Sequence, residues 1–388
     1  MRRLNTSIIG TTGPDPRYWP DTVFSSDAAQ SLVLALAKGA CSQEELGARL
    51  HLAGRDLQAT LAPLRDIGAV RESEGGLLSV DFSLLTRQDL AALDELIPPL
   101  GTALAESVGS RWPTVRAALH RLAGSADPRS HQEFAFATVG CMGLDWDGIA
   151  TLRQCGFLSA PREYPDGGRY VLTGEEHRSS PLEKDYCGSH TAGGESYYFT
   201  NFGDHSGPRH SLPDLFFRAQ YAVGGASWPR DLEAVLSAVV QHGFRGLYDE
   251  LGAIIARHPQ TSGPCADFLR RLGYLGSGEA LVPVFTAAMV GPIQEIISWV
   301  REAVVEWAAR TVPSLKDDMS CLTPLRHGVD EGHFLNHIWH FIFADANRVL
   351  CERGMMLDPE PKPNGQGRYM SWIAEAEFYR AIWPSRSI

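Results

Sequence analysis

One predicted helix carries three histidines on a single face. His333, His337 and His340 lie at positions i, i+4 and i+7, a spacing that places them on one side of a helix. Two imidazoles four residues apart can bind one zinc or iron ion, and Glu331 or Asp345 could supply a further ligand. Alternatively, the rings line a buried interface and hydrogen-bond to backbone or water. The lack of an HExxH or comparable signature favours this second role.

The candidate site residues follow from these two roles. His333 and His337 are the candidate metal ligands, so a divalent metal stays open, and otherwise no cofactor is expected. If the chain is an enzyme, its candidate catalytic residues are His205, His333, His337, His340 and Asp204. The reaction itself is not specified by any spacing in the sequence.

A second group of polar and aromatic residues lies in the connector, residues 182–227, which is predicted to have little regular structure. Long irregular segments in compact domains are often functional. The side chains that could stack on and hydrogen-bond a polar, partly planar ligand are Tyr198, Phe202, His205 and His210. Asp204 with His205, and Cys187 near His190, are candidate acid–base or nucleophilic pairs. A plain linker whose aromatic rings pack onto the neighbouring segments is the alternative.

Missing motifs, net charge and cysteine spacing exclude several classes of protein. The chain has no P-loop, no GxGxxG after a strand and no GxSxG motif. Its net charge of −11 does not attract nucleic acid by bulk charge, so any DNA contact needs a local basic patch. No apolar run reaches the roughly 18 residues of a membrane span, and the N-terminus does not read as a signal peptide. Seven scattered cysteines without a CxxC pair indicate free thiols, so we expect a cytoplasmic protein with no membrane partner.

The elements that would position these residues occur twice in the sequence. Leu64–Gly68 matches Leu269–Gly273, 205 residues later, and Gly168–Val171 matches Gly367–Met370, 199 residues later. Two independent matches at nearly the same separation predict a tandem duplication, with halves of roughly 1–200 and 201–388.

The first repeat has a clear local pattern. A helix at Leu32–Lys38 is followed by Ser42 and Glu45, which form a capping box at the start of the next helix. A third helix is predicted from four apolar residues on one face, namely Leu57, Leu61, Leu64 and Ile67. Gly68 ends that helix, and Val70–Val80 then reads as a β-hairpin.

This order of three helices and a hairpin, at Ser42–Asp81, resembles the winged helix-turn-helix of the ArsR and MarR classes of bacterial regulator. It also resembles the winged-helix dimerisation segment of small-molecule O-methyltransferases. The resemblance covers about 60 residues per unit. It implies a third helix that enters the DNA major groove and a wing that contacts the backbone.

A helix end is followed by a strand-turn-strand at Tyr164–Tyr170, and the counterpart of this pattern lies at Ala346–Trp372. The repeat extends the prediction to four winged-helix-like modules. Long helices at Gln88–Val108 and Pro292–Val312 join them. The predicted segments are module one with its long helix (1–110), module two (111–181), the connector (182–227), module three with its long helix (228–313) and module four (314–388).

The sequence thus predicts a mainly α protein with small β-wings, built from four modules in a pseudo-twofold tandem duplication. Its leading function is a DNA-binding transcriptional regulator with a small-molecule site in the connector, acting as a pseudo-dimeric monomer or a homodimer. The residues expected to contact duplex DNA are Arg55, Gln58, Arg65 and Arg71. A biosynthetic enzyme with a His-lined pocket between the halves is the main alternative, and an interaction scaffold with acidic faces is a third.

Overall fold

The structure is a computed structural model that describes residues 4–123, 128–177, 187–204, 211–215, 236–361 and 367–383. It is mainly helical with small sheets, which confirms the predicted fold class at that level. The helices are α1 (Pro20–Val23), α2 (Asp27–Leu36), α3 (Gln43–Leu50), α4 (Gly54–Asp66), α5 (Arg87–Gly109), α6 (Trp112–Ala123), α7 (Pro128–Ala135), α8 (Gly148–Gln154), α9 (Leu236–Arg257), α10 (Pro264–Arg271), α11 (Val290–Met319), α12 (Thr323–Arg326), α13 (Glu331–Glu352) and α14 (Ala376–Ile382). The strands are β1 (Leu4–Thr11), β2 (Cys41–Ser42), β3 (Val70–Glu72), β4 (Leu77–Val80), β5 (Ser83–Leu85), β6 (Arg162–Glu163), β7 (Arg169–Glu176), β8 (Cys187–Gly193), β9 (Tyr197–Asp204), β10 (Val284–Phe285) and β11 (Tyr369–Glu375).

The chain forms two compact units, each assembled from three stretches of sequence. Unit 1 comprises Met1–Leu100, Ile149–Glu183 and Trp307–Ile342. Unit 2 comprises Gly101–Gly148, Lys184–Glu306 and Phe343–Ile388. The long helices α5, α11 and α13 each contribute residues to both units. Within the part of the chain that the structure describes, no helix is long and apolar enough to cross a bilayer.

In unit 1, α2, α3 and α4 pack beside the three-stranded sheet β2–β4–β3. The predicted capping box is present: the Ser42 hydroxyl accepts from the Glu45 amide at 3.2 Å, and the Glu45 carboxylate accepts from the Ser42 amide at 3.0 Å. All four apolar residues predicted for the inner face of the third helix are buried: Leu57, Leu61, Leu64 and Ile67. Gly68 follows α4 with a φ of 65°, a left-handed conformation that glycine adopts at little cost. The local predictions for α3, α4 and the hairpin are therefore confirmed.

Two of the sheets repeat one pattern of strand pairing. In unit 1, β7 pairs antiparallel with β1 and parallel with β5; in unit 2, β11 pairs antiparallel with β9 and parallel with β10. The registers also correspond, because Gly10 faces Tyr170 in the first sheet and Gly203 faces Tyr369 in the second. The two glycines have φ values of 142° and 144°.

Alanine at either of these glycines is expected to lower the free energy of unfolding by about 2–4 kcal/mol. A Cβ on Gly10 would lie 2.2 Å from the carbonyl oxygen of Arg169, and a Cβ on Gly203 would lie 2.3 Å from that of Arg368. These are backbone atoms that cannot move without breaking the ladder. The measurement is urea unfolding of Gly10→Ala and Gly203→Ala beside Gly291→Ala, a helical control with open space at its Cβ. Wild-type stability in either strand variant would contradict the close approach.

One expectation about the connector is corrected. Part of it is regular, since β8 and β9 form an antiparallel pair; the β-branched and aromatic residues of Tyr197–Asp204 suit a buried strand. The sequence did not predict β1, which depends on a partner strand about 165 residues away.

Asp145 and Asp147 lie within a long helical run. A π-helix, Phe136–Asp147, leads directly into α8. The carboxylate of Asp145 is buried and accepts a hydrogen bond from Ser189 at 2.7 Å. Asp147 forms an ion pair with Arg301. Both groups therefore have partners that hold them inside a continuous helix.

Candidate functional site

The N-terminal half of α4 exposes one side of the helix to solvent. Leu57, Leu61 and Leu64 hold one side of the helix in the core, which leaves Arg55 and Gln58 exposed. Arg55 has no hydrogen-bond or ion-pair partner among the described residues. The side-chain amide of Gln58 donates to the side-chain oxygen of Gln43 on α3.

The first turn of α4 also has backbone donors without a side-chain acceptor. Its N-cap residue, Ala53, makes no side-chain capping bond, in contrast to Ser42 at the start of α3. Free amides at a helix N-terminus favour an anion such as phosphate. Asp56 in the same turn opposes this effect. The helix N-terminus alone therefore attracts an anion only weakly, and anion binding here depends on Arg55 as well.

The other two predicted DNA contacts are occupied within the protein. Arg65 forms an ion pair with Glu72. Arg71 donates to the Ser79 hydroxyl at 3.1 Å and to the carbonyl oxygens of His327 and Gly328, and it also lies 3.4 Å from Asp81. Arg65 and Arg71 therefore brace the wing: Arg65 is paired with the Glu72 carboxylate, and Arg71 is held by Asp81 and by the carbonyl oxygens that follow α12. The prediction that they contact DNA is not supported by these contacts.

The predicted histidine face leads to a buried polar cluster in unit 1, here called the His337 cluster: Ser83, Glu175 and His337. The Nδ1 atom of His337 lies 2.8 Å from the Ser83 hydroxyl, and its Nε2 atom lies 2.9 Å from a Glu175 carboxylate oxygen. Because an ionised carboxylate only accepts, Nε2 carries the proton, and with a neutral ring Nδ1 accepts from the serine hydroxyl. The cluster joins β5, β7 and α13.

These residue types occur in nucleophilic triads, but their environment is that of a protein core. The side chains of Ser83 and His337 are 0% exposed, and that of Glu175 is 9% exposed. A substrate carbonyl cannot approach the serine hydroxyl in this arrangement. The cluster is best described as a buried hydrogen-bonded network that fixes three elements together.

Asn336, next to this network, is fully buried, and neither of its side-chain polar atoms has a hydrogen-bond partner in the described ranges. Such groups are rare in folded proteins.

His333 and His340 take other partners, so the three rings do not converge. The His333 Nε2 atom donates to the Ala160 carbonyl oxygen at 2.7 Å. The His340 Nδ1 atom donates to the Asn336 carbonyl oxygen at 2.9 Å. Burial lowers the pKa of His340 to about 3, with smaller contributions from His337 and Arg153.

The contacts of His333 and His337 do not support the candidate metal pair. Both ring nitrogens of His337 are hydrogen-bonded, and one nitrogen of His333 is bonded to a backbone carbonyl. Over the described ranges, no group of three or more His, Cys, Asp or Glu side chains is arranged to hold a metal ion. The i, i+4 spacing was read correctly, but the rings turn toward partners on other elements.

The predicted ligand-binding aromatics are core residues of unit 2. Tyr198 stacks on Tyr379 with ring centroids 4.1 Å apart, and Phe202 packs on Phe136 and Phe343. Tyr198 is 7% exposed and Phe202 is 0% exposed, which corrects the prediction that they line a ligand pocket.

The remaining connector candidates have the following positions. Asp204 is the last residue of β9, where its amide donates to the Arg368 carbonyl oxygen. His205 and His210 lie outside the described residues.

A second polar cluster, which lies in unit 2, was not predicted from the sequence. Asp214 accepts from His190 Nδ1 at 2.8 Å and from the Ser211 hydroxyl at 2.6 Å, and it also accepts from the Asn201 amide. His190 was noted only for its proximity in sequence to Cys187, which is buried. The separation of 24 positions between His190 and Asp214 left no short-range signal.

Comparison with protein-family models, with curated protein sequences and with solved structures found no match to this chain. Functional inference therefore depends on the residues and geometry described above.

Proposed function

We propose that this chain is a winged helix-turn-helix regulator that binds duplex DNA through the N-terminal half of α4. The observation that carries the proposal is an exposed Arg55, which has no partner among the described residues, beside the Gln43–Gln58 amide pair at the start of the third helix. Arginine pairs with guanine and glutamine with adenine in the major groove. The order α2, β2, α3, α4, β3, β4 supports a winged-helix module, in which this helix faces the groove.

The matched sheet registers support the wider architecture within this proposal. Equivalent strand pairing, with glycines at equivalent positions, is expected if one ancestral segment was duplicated in tandem. The four-module description stays part of the proposal. The connector ligand site is not included in it, because Tyr198 and Phe202 are buried in aromatic packing.

Charge limits how DNA can be bound. The chain has a net charge of −11, and Arg65 and Arg71 are engaged within the protein. The exposed arginines that remain on α3 and α4 are Arg49 and Arg55. With about two phosphate contacts, the slope of log K against log salt concentration is expected to be near −2.

The test is binding of the full chain to a pool of short duplexes, followed by affinity measurements on the selected duplex. Arg55→Ala is expected to weaken binding by about 1–3 kcal/mol, because a contact to a base edge or phosphate is lost. Arg116→Ala is the matched control, since Arg116 is also exposed but lies on α6. Equal loss in both variants, or no binding of any duplex at low salt, would rule the proposal out.

A further inference from the structure

The two repeated segments differ at the helix that would read DNA. Leu64–Gly68 at the end of α4 corresponds to Leu269–Gly273 at the end of α10. Both helices are followed by a glycine with positive φ, 65° at Gly68 and 77° at Gly273. Counting back from these glycines aligns the two helices without a gap.

In that alignment α10 lacks the beginning of α4. Helix α4 has 13 residues, whereas α10 has eight. The positions of Arg55 and Gln58 correspond to Gln260 and Gly263, which precede the first residue of α10. The turn and a half that exposes the candidate base contacts in unit 1 is therefore not helical in unit 2.

The arginine near the end of α10 is held within the protein, as Arg65 is near the end of α4. Arg270 donates to Asp267 at 2.9 Å, to the Thr261 carbonyl oxygen at 2.8 Å and to the Gly276 carbonyl oxygen at 3.3 Å. It holds the preceding loop and the following turn, so it is not available to a phosphate.

We infer that only the first repeat reads DNA, so that one chain recognises a single asymmetric site and not a pair of related half-sites. This inference rests on the proposed function. A duplicated chain with two equivalent readers would favour a repeated operator, as symmetric dimers do. Loss of the first turns of α10 removes the second reader.

The two proposed contacts on α4 also predict which bases are recognised. The Arg55 guanidinium matches the O6 and N7 atoms of guanine. The Gln58 amide retains one N–H and its oxygen after donating to Gln43, which matches N7 and N6 of adenine. Helix α4 is therefore expected to read a guanine and an adenine within one short site.

The experiment selects duplexes with the full chain and measures both the sequence motif and the number of chains per duplex by native mass spectrometry. The expected result is one non-repeated motif with one chain bound. Arg55→Ala should lower affinity about tenfold to a hundredfold and relax preference at one guanine. The matched substitution in the second repeat, Gln260→Ala, and the charge control Arg116→Ala should each change affinity less than twofold.

The possible outcomes distinguish the single-reader inference from the proposed DNA binding. A motif with two related half-sites bound by one chain, or a loss in Gln260→Ala equal to that in Arg55→Ala, would overturn the single-reader inference and leave DNA binding in place. A palindromic motif bound by two chains with one reader each agrees with the inference. No selected duplex at low salt would overturn DNA binding and the inference together.

Discussion

A His337→Ala variant is expected to lose about 3–5 kcal/mol of unfolding free energy, because it leaves a buried carboxylate without its partner. The Glu175 side chain is 9% exposed and accepts from His337 Nε2 at 2.9 Å. The Ser83 hydroxyl, which is 0% exposed, loses its acceptor in the same variant. The cost of stranding these two groups is larger than the net value of the hydrogen bonds themselves. Urea unfolding at neutral pH measures it.

The matched control replaces the whole network by apolar side chains. In the second sheet, the residue at the register position of Glu175 is Ala374, so an apolar residue is already compatible with this strand pattern. A triple variant, Ser83→Ala, Glu175→Ala and His337→Leu, is expected to be more stable than His337→Ala alone, since no polar group is left stranded. Small, additive effects of the three substitutions would show that the groups do not act as a unit.

The outcome also distinguishes a structural network from a catalytic one. If the cluster is structural, a serine-directed phosphonate probe should not label the native protein at Ser83. Labelling that depends on His337 would instead favour the enzyme alternative, and it would require the core around Ser83 to open.

Local structure in unit 1 could be predicted from sequence because its signals are short-range. The Ser42–Glu45 capping box, the apolar face of α4 and the stop at Gly68 each involve residues within one or two helical turns. The helix predicted at Gln88–Val108 was found to within one residue at each end, since its apolar periodicity extends over many turns. The helix predicted at Pro292–Val312 was also found, although α11 continues to Met319.

Sheet pairing was harder to predict because it depends on distant partners. Strand β1 pairs with β7 about 165 residues later, and β5 pairs with the same strand from the opposite edge. The equivalence of Gly10 and Gly203 involves a separation of 193 residues, which differs from the 205 and 199 of the detected repeats. Because the separation differs, the sequence repeat did not reveal that β1 and β9 occupy equivalent positions in the two sheets.

Side-chain partners lay beyond sequence reasoning for a similar reason. The spacing of His333, His337 and His340 correctly placed three rings along one helix. Their partners come from other segments, including Ala160 and Glu175, and no local pattern identifies them. The same limit applies to Arg71, whose carbonyl acceptors at positions 327 and 328 lie more than 250 residues away.

Acid is expected to destabilise the protein through His340, whose folded-state pKa is lowered by burial to about 3 from an ordinary value of 6.5. Between these values the unfolded chain binds a proton at this ring and the folded chain does not. The stability associated with the neutral ring is therefore fully present above pH 6.5 and is lost as pH falls. The loss is about 1.4 kcal/mol per pH unit, or about 5 kcal/mol over the full window.

His340→Met isolates this contribution, because methionine fills a similar volume and does not titrate. The difference in unfolding free energy between wild type and variant, measured from pH 7.5 to 4.5, should move in favour of the variant by about 2–3 kcal/mol. His258→Met is the matched control, since His258 is exposed. Parallel curves for wild type and His340→Met would mean that the ring accepts its proton in the folded state, and that the core around α13 admits a charge.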